Sequence, residues 1–156
     1  MVNVAAVVDL THMFLPAMLQ RGHGAVINVA STAGLQPLPH MAIYGATKAF
    51  VISFSEALRQ EVKGHGVNVV GVCPGATETE FFEVAGEQAA VGRKAPPKDV
   101  VDTALRALEN RRGIVIVGGA NRINALAAKL LPRAFVARVT GRLLRGGPVT
   151  DSSAAA

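Results

Sequence analysis

Along the chain, helical and strand-like apolar patterns alternate. In the first twenty residues Val7, Leu10, Phe14, Met18 and Leu19 recur at helical spacing. Pro16 falls inside that run and predicts a kink or a break. A Gly-His-Gly follows, then the β-rich run AVINVAS at 25–31. From Ile43 a second helical pattern carries Phe50, Phe54, Ala57, Leu58 and Val62 along one side. It ends at Lys63 and Gly64, a basic residue and a glycine that suit a helix C-terminus. A second Gly-His-Gly, 64–66, leads into the apolar run VNVVGVCPG.

The unit of helix, Gly-His-Gly and apolar strand thus occurs twice. His23 and His65 could be read as paired metal ligands, but no further ligand stands at metal spacing. Each is the middle of a helix-to-strand connection whose glycines permit a tight turn, so turns and no metal are expected. After Pro74 and Gly75 comes a polar, acidic stretch to Arg93, then the proline-marked helical pattern KAPPKDVVDTALRALEN. GIVIVGG at 113–119 is a third short strand, and two helical patterns follow, split at Pro132. The closing DSSAAA reads as a frayed end. Apolar strands alternating with helices predict an α/β domain with a parallel sheet. Their continuous apolar character predicts helices on both faces.

Composition narrows the function classes. Half of the 156 residues are apolar and 17% are charged, which marks a globular single domain rather than a disordered chain. Aromatics are 4% and tryptophan is absent, which argues against a nucleic-acid reader built on stacking. The single cysteine, Cys73, excludes an internal disulfide framework and fits a reducing, cytoplasmic setting. In its apolar run, with no base nearby, it reads as a buried structural thiol. No run of 18 uncharged apolar residues occurs, since Asp9, His12 and Pro16 interrupt the first twenty, so no membrane span is expected. The N-terminus also lacks the basic region of a secretory signal.

The net charge of +5 is unevenly placed: residues 110–150 hold eight Lys or Arg and no acid. Elsewhere eight basic residues face eleven acidic ones. On a helix over 133–145, Phe135, Val136, Val139 and Leu143 gather on one side, with Arg138, Arg142 and Arg145 on another. That pattern suits either a helix covering the domain or a weak contact with an anionic membrane surface.

The chemistry concentrates in STAGLQPLPHMAIYGATK, residues 31–48. In an open parallel sheet, ligands bind beyond the C-terminal ends of the strands. Ser31 lies at one such end, and PGATET at 74–79 lies at another. Tyr44 and Lys48 are four apart at the start of a helix, so they share a face. A free phenol exchanges protons poorly near neutrality. A cation one helical turn away favours its ionised form and makes it a better partner for an alcohol or carbonyl. Ser31 could hold the substrate oxygen beside it.

These residues resemble the short-chain dehydrogenase/reductase family. The matches are S-x12-Y-x3-K at 31–48, NVAS before it, CPGATET at 73–79 and the N-V element of MVNVAA. The resemblance implies a partial Rossmann-like, doubly wound parallel sheet formed by its last three strands. Residues 1–131 would be the C-terminal part of that domain, with 132–156 a basic helix and tail. It implies an oxidoreductase that uses NAD or NADP to interconvert a carbonyl and a secondary alcohol. Tyr44 would be the general acid in reduction and the base in oxidation. Lys48 would assist it and bind the nicotinamide ribose. Ser31 would polarise the substrate carbonyl, and Asn3 would position a water in a relay to Lys48. Pro74 and Gly75 would turn the chain past the nicotinamide. Thr77 (through its backbone) and Thr79 (through its hydroxyl) would meet the carboxamide. The segment 80–94, with Phe81 and Phe82, looks like a substrate lid, although a surface loop with two anchoring aromatics fits equally. The mostly apolar stretch Leu35, Gln36, Leu38, His40 and Met41 slightly favours an acyl, lipid or steroid-like substrate, with His40 at a pocket rim or on the surface.

The family's glycine-rich pyrophosphate turn, T-G-x3-G-x-G, occurs nowhere in the chain, and GIVIVGGAN lacks an equivalent spacing. A truncated chain with an exposed sheet edge, inactive alone and a weak dinucleotide binder, is therefore expected. The helices at 3–21 and 43–64 correspond to the family's usual subunit interface and imply a homo-oligomer. A non-catalytic remnant acting through such association is the alternative.

Overall fold

The structure is a computed structural model that describes residues 2–85, 92 and 94–144. Three strands, β1 (Gly24–Val29), β2 (Val67–Cys73) and β3 (Ile114–Ile116), form one parallel sheet in the order β1-β2-β3. Val29 pairs with Val72 and Cys73 with Ile116, so all three strands end at about the same level. Among the described residues six α-helices accompany them: α1 (Val7–Arg21), α2 (Ala42–Glu61), α3 (Phe81–Ala85), α4 (Pro97–Glu109), α5 (Gly119–Leu130) and α6 (Arg133–Leu143). The partial doubly wound α/β architecture expected from the sequence is the one observed.

The central strand β2 is apolar on both faces because helices cover both. Val70 and Val72 pack with Ala104 and Ala107 of α4 and with Val117. On the opposite face Cys73 packs with Val51 and Ile52 of α2, and Val69 with Leu58 and Val62. Burying such side chains contributes roughly 1.5–3 kcal/mol each. Asn28 of β1 is the polar exception: its Nδ2 donates to Ser55 Oγ at 3.0 Å, and Ser55 Oγ donates to the Val51 carbonyl at 2.7 Å. A side chain at Gly71 would run into Ile114 and press tightly on Ser55, so glycine lets α2 lie close to the sheet. The β1 edge is open. Among the described residues no strand pairs with the free side of β1, where Ile27 and Val29 are 37% and 56% exposed.

Both Gly-His-Gly segments are turns. Gly22, Gly64 and Gly66 have φ of 70°, 89° and 75°, in the region that favours glycine. The two turns also pack together, since a methyl on Gly66 would run into the Gly22 carbonyl oxygen.

Two expectations for the first helix need correction. Of the kink or break expected at Pro16, the break does not occur: α1 runs continuously from Val7 to Arg21. Pro16 and His12 are both exposed, so the His12 carbonyl that loses its partner N–H faces solvent. The interruptions at Asp9, His12 and Pro16 also do not disqualify it as a span by composition. Val2–Arg21 is one helical run of 20 residues with mean hydropathy 1.5, long and apolar enough to cross a membrane, and little of it is buried. Its inward side is Val7, Thr11, Leu15 and Leu19. Leu10 and Phe14, placed on the same face by spacing, point outward and are 53% and 55% exposed.

Candidate active site

A cavity of about 400 Å3 opens at the C-terminal end of the sheet. It gathers Ser31 from the end of β1, Tyr44 and Lys48 from the first turns of α2, and 74–77 from the end of β2. Thr79 and the ring of Phe81 complete its rim. Apart from Asn3, every site residue expected from the sequence lines this one cavity.

Each position has a local cause. Ser31 caps a short 3-10 turn (Thr32–Leu35): its Oγ accepts from Ala33 N at 3.1 Å and donates to the Pro74 carbonyl at 3.4 Å. Thr32 N also donates to the Pro74 carbonyl at 2.9 Å, which stitches the two strand ends together. Lys48 Nζ donates to the Val29 carbonyl at 3.0 Å and stands 5.8 Å from the centroid of the Tyr44 ring. Partial burial holds the Lys48 ammonium below its ordinary pKa. Pro74 and Gly75 carry the chain over the end of the sheet. Gly75 sits under Asn121, whose Nδ2 would be 2.5 Å from a methyl there and donates to the Val117 carbonyl at 2.8 Å. The Thr77 hydroxyl turns back to the Gly75 carbonyl at 3.1 Å, and that of Thr79 to the Thr77 carbonyl at 3.4 Å.

Asn3 is elsewhere. It lies exposed in a π-helical turn (Val2–Ala6) that precedes α1, outside the cavity wall. His40 is exposed as well, with φ of 68°, and borders a separate cleft with Arg138 and Arg142.

The expected lid begins within the described residues, but 86–91 and 93 lie outside them. Its neck is closed by a bridge between Thr77 and Ala95: Glu78 N donates to the Ala95 carbonyl at 3.0 Å, and Ala95 N to that of Ala76 at 2.9 Å. Phe82 is buried, with Lys94 Nζ 4.6 Å above its ring. Phe81 packs on Tyr44 with ring centroids 5.4 Å apart.

Sequence reasoning missed part of the wall. Pro97, Val100 and Val101 from the start of α4, and Leu144 just after α6, also line the cavity. Leu144 continues a buried stripe with Val136 and Thr140, at i, i+4 and i+8. That spacing was the one available signal for it.

Cys73, at the end of β2, is fully buried. Burial pushes its thiol up to about 12, reinforced by the charge of Glu56 and opposed by a hydrogen bond with Ser31 and the charge of Lys48. It is a structural thiol, as its apolar run implied.

Comparison with known proteins finds relatives over most of the chain. The family model described as "short chain dehydrogenase" matches residues 1–90. The ketoacyl reductase HetN of Nostoc sp. is 35% identical over 131 residues, 83% of this chain and 45% of that protein. A sulfoacetaldehyde reductase of Chromohalobacter salexigens is 47% identical over 91 residues, 56% of this chain and 36% of that protein. Among solved structures, a short chain dehydrogenase from Burkholderia cenocepacia in complex with NADP superposes with a TM-score of 0.75. It is 30% identical, over 88% of this chain and 56% of that one. The chain therefore spans about half, or less, of the length of the proteins it matches.

Proposed function

The chain belongs to the short-chain dehydrogenase family, and from that premise we propose that it carries the catalytic portion of an NAD(P)-dependent oxidoreductase. The reaction is the interconversion of a carbonyl and a secondary alcohol. The observation that carries this reading is the convergence of Ser31, Tyr44, Lys48 and the 74–77 turn, from three separate elements, on one cavity.

The residues present fit the nicotinamide and its ribose. The Lys48 ammonium, the hydroxyls of Thr77 and Thr79 and a glycine turn without side chain bulk line the same wall. The chain has no glycine-rich turn for the pyrophosphate, so the rest of the dinucleotide needs a partner segment. When bound, the nicotinamide supplies or accepts the hydride. Tyr44 gives its hydroxyl proton to the carbonyl oxygen in reduction and takes it back in oxidation. Ser31 holds the same oxygen by turning its hydroxyl from the Pro74 carbonyl. Lys48 would hold the ribose hydroxyls, and it places positive charge beside Tyr44. Thr77 and Thr79 would hold the carboxamide. Asn3, outside the wall, acts only through a water relay.

An acyl thioester bearing a 3-oxo group is the substrate class favoured by Leu38, Met41, Phe81, Val100 and Leu144 in the wall. The ketoacyl reductase among the relatives points the same way. The test is NADPH oxidation by this chain, and by the chain joined behind the nucleotide-binding half of a relative. The joined protein should reduce a 3-oxoacyl thioester in preference to sulfoacetaldehyde. Tyr44→Phe should lower its kcat by at least about 100-fold, and an unaffected rate would end the catalytic assignment. The unjoined chain should bind NADPH weakly in a fluorescence titration.

A second reading, a non-catalytic chain acting through helix association, rests on the exposure of Leu10, Met13 and Phe14 on α1 and Ile43 on α2. The same faces would serve a homo-oligomer of the enzyme. Leu10→Gln with Phe14→Gln should dissociate it in sedimentation velocity. Activity in the joined protein decides between the readings.

A further inference from the structure

The two C-terminal helices are built in an unusual sense. The side of α5 that turns inward is small and partly polar: Asn121, Ala125 and Ala128, at i, i+4 and i+7. Its large apolar side chains face solvent instead, with Ile123, Leu126 and Leu130 exposed by 70%, 59% and 76%. These three lie within one stripe opposite the inward face. A helix of a globular domain ordinarily has the reverse arrangement. The next helix differs in having an apolar buried face, but it too leaves apolar side chains outside, along the flank of that face. Val136, Thr140 and Leu144 are buried beneath α6, while Phe135, Val139 and Leu143 are exposed by 49%, 39% and 64%.

Basic residues border both stripes: Arg122 and Lys129 on α5, Arg138 and Arg142 on α6. No acidic residue occurs anywhere in 110–150. Only Leu131 and Pro132 separate the two helices. Exposed apolar stripes bordered by cations mark a surface that is covered in use.

We propose that α5 and α6 form an amphipathic hairpin that docks on an anionic lipid surface, with the apolar stripes in the acyl boundary and the basic residues among the headgroups. Charge selects this occupant over a second copy of the chain. Two copies meeting through this surface would bring arginine and lysine against their own kind, with no carboxylate in the segment to offset them. An anionic bilayer satisfies the stripe and the cations together. The inference is independent of the catalytic reading, and it enlarges the single-helix contact expected at 133–145 to a two-helix surface.

The test is flotation of the full chain with vesicles of phosphatidylcholine alone or with about 30 mol% phosphatidylserine. Flotation separates vesicle-bound protein from aggregates, which sink. The parent chain should float with the anionic vesicles, and raising salt should weaken that binding. Leu126→Glu with Leu130→Glu should cut the bound fraction at least about tenfold. Arg138→Gln with Arg142→Gln should reduce binding to anionic vesicles while leaving any weak binding to neutral ones. All four positions are exposed, and circular dichroism checks that the helices persist. A parent chain that does not float, or variants that float equally, would overturn the proposal. So would a stable dimer in sedimentation that Leu126→Glu dissociates, which would assign the surface to a second copy.

Discussion

Gly34 packs directly on the backbone of Lys48: a methyl built on Gly34 would stand 2.5 Å from the Lys48 carbonyl carbon and 2.6 Å from Ala49 N. The turn after β1 and the helix bearing the tyrosine and lysine therefore touch backbone to backbone. Both contacts are backbone atoms, so no side chain can swing away to make room. Gly34→Ala should destabilise the fold by about 3 kcal/mol, the upper end of overpacking costs, as read from urea denaturation. It should also push Lys48 away from the Val29 carbonyl. Wild-type stability in this variant would show that α2 can slide along the sheet without cost.

The paired Gly-His-Gly turns allow a comparison with an internal control. Gly64 and Gly66 both have positive φ, but a methyl on Gly64 meets nothing within 4 Å, whereas one on Gly66 runs into the Gly22 carbonyl. Gly64→Ala should cost only the left-handed backbone penalty, about 1–2 kcal/mol. Gly66→Ala should cost at least about 1 kcal/mol more, because the first turn must move as well. Equal midpoints in a urea series would refute the packing of one turn on the other.

The legible and illegible parts of this chain divide by the range of the contacts involved. Ser31, Tyr44 and Lys48 were readable because a strand end and an i, i+4 pair fix them locally. Val100, Val101 and Leu144 were not, because contacts with segments far along the chain carry them to the cavity. The inner face of α1 failed for a different reason. The helix is apolar on two sides, so spacing alone could not choose Thr11 and Leu15 over Leu10 and Phe14. Asn3 was readable as a motif residue, but the π-helical turn around it leaves it exposed outside the cavity wall. The inverted amphipathicity of α5 was hidden for a related reason: periodicity reports that a stripe exists, not which way it points.

Cys73 predicts both a reactivity and a pH dependence. With its thiol pushed up to about 12, little thiolate exists at pH 8, and full burial blocks access. Iodoacetamide should label it slowly in the native chain and rapidly in urea. The folded-state value lies above the ordinary value of 9.0, so folding favours the protonated thiol. Its contribution to stability is complete below pH 9 and is lost as the pH rises towards 12. Cys73→Ala should make the alkaline decline shallower, at a cost of about 1 kcal/mol near neutrality from the lost volume. Rapid native labelling would contradict the buried placement.

Thr140 ties α6 to the substrate-facing loop. Its Oγ1 lies 2.9 Å from the carbonyl oxygen of Pro37, which is 103 residues earlier, and also 2.9 Å from that of Val136 within its own helix. The hydroxyl has one proton, so the bond to Pro37 competes with the bond inside the helix. Thr140→Val keeps the shape and removes the donor, leaving the partly buried Pro37 carbonyl without it. The expected cost is about 1–2 kcal/mol, and Thr140→Ser, which keeps the donor, should lose less. The sharper readout is local. Amide exchange in α6 should accelerate by roughly tenfold in Thr140→Val, since a loss of about 1.4 kcal/mol confined to that helix lowers its opening free energy alone. Exchange in β2 should stay unchanged. If α6 and β2 accelerate together, the helix opens only with the whole domain, and Leu144 is a fixed wall of the cavity.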